Sequence, residues 1–146
     1  MHDLELMPVD SEVVTGIIQN PQSFISGLVA NGVLKRTYHV CAAPQRIVAL
    51  VELIENCQGP RHYVHGGLIA SLLDEVMAVV LLHQKKLAVT GRLKVDFLTP
   101  CPFPASYRLE AWMDESDTLS AVLKARMVNL EGKEMASANA RFIWVD

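Results

Sequence analysis

Apolar and polar residues alternate through most of the second half of the chain. Every second position is apolar or glycine in residues 89–97, 105–113 and 119–127, and a similar run covers about 133–145. A period of two is typical of β-strands with one buried face. The stretches DESD and NLEGK, which separate the last three runs, have the composition of hairpin turns. We therefore expect four consecutive strands here.

The first half of the chain begins with helical rather than strand-like spacing. One short helix is predicted between Asp10 and Pro21 and another over residues 22–30, where Asn-Gly provides a stop signal. Two β-rich runs, 33–41 and 46–54, follow with a Pro-containing turn between them. These patterns predict a helical lead-in before the first two strands.

The segment between the two groups of strands is apolar almost all round when it is drawn as a helix. It reads GGLIASLLDEVMAVVLL and covers residues 66–82. Such a helix is buried on most sides. A sheet of about six strands can bury it by curling around it, with help from a second molecule. The sequence thus predicts an α+β fold, a curved antiparallel sheet around one long central helix. We expect a single domain over residues 1–146, with lead-in 1–32 and core 33–146.

Two carboxylates, Asp74 and Glu75, stand side by side in the middle of this helix. An ionised carboxylate in apolar surroundings is costly unless something compensates its charge. Adjacent helical residues point about 100° apart, so the two do not share one environment. Both could lie on a solvated strip or pair with Arg92 or Lys94; alternatively, one faces a cleft while the other pairs with a neighbour.

The helix is preceded by His65-Gly66-Gly67. Glycines at a helix start let another group approach the backbone, and the free N–H groups of the first turn bind anions. Such donors could stabilise the oxyanion of an attacked carbonyl. A tight strand-to-helix turn requires the same glycines, so the motif alone leaves both explanations open.

The spacing between Gly66 and Asp74 constrains how they could act together. Eight residues separate them in sequence, which corresponds to about 12 Å of helix rise. One small carbonyl does not reach both in the same chain. Joint action therefore requires two subunits with antiparallel helices, each supplying part of a composite site.

Composition and charge exclude several classes of protein. A net charge of −3 argues against phosphate-driven nucleic-acid binding. Three widely spaced cysteines without a CxxC pair indicate free thiols in a reducing compartment. No secretory signal is visible at the start, and the apolar run 68–82 is short for a membrane span and contains two carboxylates. We expect a cytoplasmic protein without membrane insertion.

At this point the motifs together resemble a known family. The stretch HGGLIASLLDEV, with aspartate nine positions after histidine, resembles the PaaI-type branch of the hotdog-fold acyl-CoA thioesterases, which includes the thioesterase-superfamily-member proteins. GPRHYVHGG is similar to the loop of that group, VTGRLKVDFLTPCP to its third strand and GKEMASANARFIWV to its last strand. The resemblance covers residues 33–145 and implies a dimeric hotdog fold, with a dimer of dimers also open.

The resemblance also implies a role for four residues. The helix aspartate, which is the nucleophile or general base of the family, corresponds to Asp74. The glycine that supplies the oxyanion N–H corresponds to Gly66, and the histidine that orients the loop and the carbonyl corresponds to His65. The strand hydroxyl that helps to place water corresponds to Thr90, ten residues before the proline of TP.

Further residues are expected to bind substrate. Many relatives have an asparagine six residues before the motif histidine, where this chain has Gly59. The contribution of this asparagine is either missing here or supplied by Gln58 or the loop 61–63. The set of substrate-binding candidates consists of Gly59, Arg61, His62, Tyr63, Gly67, Arg92 and Lys94. No metal-ligand spacing is present, and no cofactor is expected because coenzyme A is part of the substrate.

Strict alternation in the run 89–97 places Thr90 on the face of Arg92 and Lys94, opposite the apolar face. That placement suits a site at a seam between subunits better than a wholly internal one. Arg92 and Lys94 could reach the phosphates of coenzyme A, although charges on a solvated strand face are the simpler explanation.

Three functions are consistent with these features. The favoured one is an acyl-CoA thioesterase; the alternatives are a hotdog dehydratase or hydratase acting on acyl-thioesters and a non-catalytic acyl-CoA-binding dimer. Release of free thiol from an acyl-CoA separates the first from the other two. Addition of water to an enoyl-CoA separates the second.

Overall fold

The computed structural model describes residues 6–8, 20, 22–42 and 45–145. Within these residues the elements follow one another in the order β1 (Leu6–Pro8), α1 (Phe24–Ala30), β2 (Leu34–Ala42), β3 (Gln45–Leu53), α2 (Gly66–His83), β4 (Ala88–Phe97), β5 (Ala105–Ser116), β6 (Ser120–Asn129) and β7 (Glu134–Trp144). The second predicted helix is present as α1. The first, between Asp10 and Pro21, lies outside the described residues apart from Asn20, which is not helical.

The strands form one antiparallel sheet in the order β1-β2-β3-β5-β6-β7-β4. The central helix α2 contacts β3, β4, β5, β6 and β7, so the sheet curves around it. The predicted α+β fold, with a curved sheet of about six strands around one long helix, is confirmed. The short strand β1 is a difference from the prediction, because three residues are too few to show alternation.

Half of the residues of the central helix are buried. Its buried side chains are Ile69, Leu72, Leu73, Val76, Met77, Val79, Val80, Leu81 and Leu82. By length and composition alone, its 18 residues are enough to cross a membrane, so the expectation that this segment is too short for a span is wrong. The expectation that the protein does not insert in a membrane stays a prediction. Its packing against five strands is instead the arrangement of a core helix.

Strand β4 contains a one-residue register shift that changes which side chains face the helix. Thr90 pairs with Phe142 of β7, whereas Arg92 pairs with Arg141, so Gly91 is the extra residue of a β-bulge. Phe142 is 1% exposed and lies on the helix side of the sheet. Thr90 therefore faces the helix as well.

The bulge also fixes the orientation of the rest of β4. Leu93, Val95 and Phe97 pair with buried alanines of β7 and face inward, while Arg92 and Lys94 pair with exposed residues and face outward. The prediction that Thr90 shares a face with Arg92 and Lys94 is therefore wrong. One inserted residue reverses the period-two pattern, and the composition of the strand does not reveal it.

Close approach of backbone and side chain explains why residue 91 is glycine. A Cβ atom at Gly91 would lie 2.8 Å from Cγ1 of Ile143 and 3.3 Å from the carbonyl oxygen of Arg141. Both distances are shorter than ordinary carbon contacts. Any other residue would require the side chain of Ile143 to move and the carbonyl of Arg141 to shift by a few tenths of an ångström.

Candidate active site

The carboxylate of Asp74 lies on the side of α2 that faces β4. The hydroxyl of Thr90 donates a hydrogen bond of 2.6 Å from Oγ1 to Oδ1 of Asp74. That length is typical of a hydroxyl bonded to an ionised carboxylate. Asp74 is half-buried and Thr90 is exposed. Within the described part of the chain, the second oxygen of Asp74 has no hydrogen-bond partner, so it is available to a water molecule or a substrate.

The neighbouring carboxylate, Glu75, has a different environment. It forms an ion pair of 2.6 Å between its Oε1 and Nη1 of Arg36, and it accepts a hydrogen bond from the hydroxyl of Tyr38. The side chains of Arg36 and Glu75 are only 4% and 10% exposed. Burial raises the pKa of Glu75, and the charge of Arg36 opposes that effect. Glu75 is therefore held inside the fold by β2, not by Arg92 or Lys94.

The start of α2 is organised by His65, which is its N-cap residue. Its Nδ1 accepts a hydrogen bond of 2.8 Å from the N–H of Gly67, and its own N–H donates to the carbonyl oxygen of Cys57 at 2.7 Å. The N–H of Gly66 has no acceptor among the described residues. Among the described residues, this donor at the positive end of the helix is thus left without a partner and can bind an anion or a polarised oxygen.

The loop before the helix is ordered by its own hydrogen bonds. The N–H of Gly59 donates to the carbonyl of Tyr63 at 3.0 Å, and Oε1 of Gln58 accepts from the N–H of His62 at 2.8 Å. The side-chain oxygen of Gln58 is therefore engaged within the loop. A Cβ atom at Gly59 would lie 3.2 Å from Cα of His65, so an asparagine there would crowd the N-cap residue.

The remaining predicted substrate-binding residues fall into two groups. Arg61, His62 and Tyr63 are exposed on the loop next to the helix start. Arg92 and Lys94 lie on the outer face of the sheet, away from α2. Within one chain, the structure brings Asp74 to Thr90 and His65 to Gly67, but it leaves these two pairs more than one helical turn apart along α2.

The partner of Glu75 is Arg36, a residue that the sequence motifs do not point to. Arg36 lies 39 positions earlier in the chain and also donates from Nη2 to Oγ of Ser26, at 2.9 Å. A buried carboxylate in an apolar helix requires a nearby cation. The position of Glu75 in the sequence therefore indicated that some cation lies close to it. Which cation this is depends on the pairing of β2 with its neighbours, and spacing along the chain does not give that pairing.

Strand β4 is an edge of the sheet and is exposed along most of its length. Three of its apolar side chains are accessible to solvent: Val89 is 54% exposed, Leu93 36% and Phe97 56%. The aromatic ring of Phe97 lies next to the start of α2, because a Cβ atom at Gly66 would be 3.5 Å from that ring. An exposed apolar edge strand is a surface on which another chain can pair.

The family of the chain follows from a match to a sequence model. The model of the thioesterase superfamily matches residues 62–136, just over half of the chain, and the match includes the helix start, Asp74 and Thr90. The chain belongs to the thioesterase superfamily. Among curated proteins, no sequence match is found for this superfamily member.

Solved structures of several other proteins have the same fold. Thioesterase superfamily member 2 of zebra fish superposes with a TM-score of 0.73 at 14% identity, over 92% of this chain and 94% of its own. The PaaI protein from the phenylacetic acid degradation operon of E. coli gives 0.69 at 18% identity, over 81% and 84%. A Streptococcus mutans protein bound to acetyl CoA gives 0.65 at 17% identity, over 68% and 81%.

This chain spans only 53% of the length of another similar structure, a thioesterase superfamily protein. All these identities lie below 25%. At such identities the similarity shows the fold alone.

The described residues contain no candidate metal centre. No group of three or more His, Cys, Asp or Glu side chains that could hold a metal ion occurs in the part of the chain that the structure describes.

Proposed function

We propose that the chain is an acyl-CoA thioesterase, which hydrolyses a thioester to a free acid and coenzyme A. The observation that carries the proposal is the Asp74 carboxylate, held at 2.6 Å by Thr90 with its second oxygen free, while Glu75 beside it is neutralised by Arg36. Membership of the thioesterase superfamily supports it. The acetyl CoA bound to the similar Streptococcus mutans protein is consistent with a coenzyme A thioester as substrate.

The N–H of Gly66 is the proposed electrophilic group. It is the free donor at the N-terminus of α2, where the helix dipole favours negative charge. The thioester oxygen accepts this hydrogen bond, which becomes stronger as the oxygen gains charge in the transition state. His65 contributes by holding the N–H of Gly67 and by fixing the helix start to the carbonyl of Cys57.

Asp74 promotes attack on the carbonyl carbon by one of two routes. As a general base it takes a proton from water while the water oxygen adds to the carbon; the C–S bond then breaks and the thiolate recovers the proton. As a nucleophile it attacks the carbonyl carbon and the C–S bond breaks, which gives a mixed anhydride and a thiolate; water then cleaves the anhydride to the free acid and the Asp74 carboxylate, and the proton released goes to the thiolate. Rapid-quench mass spectrometry separates the routes, because only the second adds the mass of the acyl group to the chain.

We also propose that the site is composite. Gly66 and Asp74 of one chain are eight residues apart on the same helix, about 12 Å along its axis. A second copy with its helix antiparallel brings its own Asp74 towards Gly66 of the first. The exposed apolar edge strand β4 is the surface that supports such pairing. By two-fold symmetry the dimer then contains two equivalent sites.

Two groups of residues are proposed to contact coenzyme A. Arg61, His62 and Tyr63 are exposed beside the helix start, at the mouth of the proposed site. Arg92 and Lys94 face outward from β4. They contact the phosphates only if coenzyme A passes over the edge of the sheet, at the seam between the two copies.

The test is free-thiol release from a panel of acyl-CoAs, with Asp74→Asn compared to the wild type. Loss of the charged carboxylate is expected to reduce kcat by several orders of magnitude without unfolding the chain. Asp114→Asn is the matched control, because Asp114 is exposed and its contact with Lys124 is 3.9 Å. If the wild type releases no thiol, or if Asp74→Asn has the same rate as the wild type, the proposal is wrong.

A further inference from the structure

An open groove lies between α1 and the first two turns of α2. Its volume is about 500 Å³, within the usual range for small-molecule sites. Phe24 and Leu28 of α1 form one wall, and Leu68 and Ser71 of α2 form the other. The lining includes His65 and Gly67, the two residues that flank Gly66 in the chain.

The chemistry of the lining is apolar and uncharged. Apart from His65 and the thiol of Cys57, whose pKa is raised by burial, none of the described residues that line the groove has an ionisable side chain. Asn56, Gln58 and Ser71 add neutral polar groups, and the aliphatic and aromatic groups of Phe24, Leu28, Val33 and Leu68 dominate the lining. The described lining contains no lysine or arginine, the cations that bind phosphates such as those of coenzyme A most strongly. It offers apolar surface to a hydrocarbon or aryl group, which gains free energy by leaving water.

The wall that α1 provides is fixed relative to the catalytic helix. Arg36 donates to Ser26 of α1 at 2.9 Å and pairs with Glu75 of α2 at 2.6 Å. Ser26 is 5% exposed. One buried guanidinium thus holds together the helix that carries Phe24 and Leu28 and the helix that carries Asp74. The width of the groove is consequently set by the core of the protein.

We propose that this groove binds the acyl group of the substrate, and that the substrate class is thioesters of uncharged apolar acids longer than acetate. The proposal rests on the proposed thioesterase function, because it takes the position of the carbonyl from Gly66. The carbonyl carbon then lies at the start of α2, and the acyl group extends from His65 towards Leu28. An acetyl group is too short to contact α1, so it gains nothing from this wall.

Leu28→Trp tests the proposal by filling the groove with a larger side chain. In the wild type, kcat/KM for decanoyl-CoA is expected to exceed that for acetyl-CoA by about tenfold or more, since each buried methylene contributes to specificity. In Leu28→Trp the decanoyl-CoA value is expected to fall by about tenfold or more, while the acetyl-CoA value changes by less than about twofold. Leu28→Ala, which enlarges the groove, is expected to move the optimum to longer acyl groups.

Leu119→Trp is the matched control, because Leu119 is 75% exposed in the turn between β5 and β6 and should leave both rates unchanged. Equal losses for acetyl-CoA and decanoyl-CoA in Leu28→Trp, or an unchanged chain-length profile in both Leu28 variants, would overturn the groove assignment alone. Absence of thiol release by the wild type would overturn the thioesterase function instead. Calorimetry then still decides about the groove: decanoyl-CoA must bind the wild type more tightly than coenzyme A, and Leu28→Trp must remove the difference.

Discussion

Asp74 and Glu75 are consecutive residues of α2, yet their carboxylates lie in two separate environments. Asp74 accepts a hydrogen bond from Thr90 on β4, whereas Glu75 is paired with Arg36 on β2. The rotation of about 100° between adjacent helical residues is the cause. Pairing Glu75 with Arg36 inside the fold leaves Asp74 as the carboxylate that faces the edge strand β4.

Gly66→Pro is expected to remove the proposed oxyanion donor without disturbing the helix. Gly66 is the first residue of α2, where proline is favoured, and His65 before it has φ −61° and ψ 130°, which suits a residue preceding proline. Loss of one such donor lowers kcat by about 10²–10³-fold. Gly66→Ala retains the N–H and should keep most of the activity; a fully active Gly66→Pro variant would exclude this donor.

Mixing two inactive variants tests whether the site is composite. If Gly66 and Asp74 act from different chains, refolding Gly66→Pro together with Asp74→Asn produces heterodimers with one intact and one doubly altered site. About a quarter of wild-type activity should return at equal mixing, because half the dimers are heterodimers with one of two sites intact. Each variant refolded alone provides the baseline. Activity that stays at this baseline would place both groups in a single chain.

Thr90→Val is expected to lower kcat while preserving the fold. The variant removes a hydrogen bond to an ionised group, which is worth about 1.5–3 kcal/mol, or roughly 10–100-fold in rate if it acts in the transition state. Thr90→Ser keeps the hydroxyl and is the control. Steady-state kinetics of the two variants decide the point, since equal rates for valine and serine would show that the hydroxyl has no part in the reaction.

Glu75→Gln is expected to destabilise the protein rather than to abolish its chemistry. Removal of one partner leaves the Arg36 charge buried, which costs about 3–5 kcal/mol of unfolding free energy. Urea unfolding measures this loss, and Glu131→Gln in an exposed turn is the control. In the double variant Arg36→Met with Glu75→Gln the loss should be smaller than the sum of the single losses. Simple additivity would contradict the ion pair.

Glu110 should contribute a defined part of the acid sensitivity. Its side chain is 4% exposed, and it pairs with Arg46, Arg108 and Arg126. Burial alone would raise the pKa of Glu110, but the hydrogen bond and charge of Arg126, with the other two charges, lower it below the ordinary 4.5. Its stabilising contribution is therefore complete above the unfolded pKa and is lost as the pH falls through the folded one.

Unfolding free energies of the wild type and Glu110→Gln between pH 7 and pH 3 isolate this contribution. Both proteins lose the contributions of their other carboxylates equally. The gap between the two curves should hence shrink as the pH falls below about 4.5. Curves that remain parallel over the whole range would mean that Glu110 titrates alike in the folded and unfolded states.

Alternation of apolar residues and β-rich composition were sufficient to predict the six long strands, and the long apolar run was sufficient to predict the central helix. The same reasoning failed at Thr90, where a single extra residue, Gly91, reverses the alternation. The local sequence contains no sign of the bulge beyond the glycine itself, since the bulge is defined by how β4 pairs with β7. Side-chain orientation within a strand is thus a property of the pairing register.

The site was predicted in part. The residues of the helix start and Asp74 follow one another in sequence, so a motif could identify them. The ion pair of Arg36 with Glu75 joins positions 39 apart, and the groove joins α1 to α2 across two strands. Both depend on tertiary packing, which the spacing of residues along the chain does not predict.

The bulge at Gly91 also bears on how relatives of this chain should be aligned. Counting residues back from the Thr-Pro of the following loop assigns Thr90 to one side of the sheet, and counting paired residues of β7 assigns it to the other. A homologue that lacks the extra residue would present its equivalent hydroxyl one position nearer to that proline. A gapless alignment would then match this hydroxyl to Gly91 and would suggest that the homologue had lost a group it still possesses.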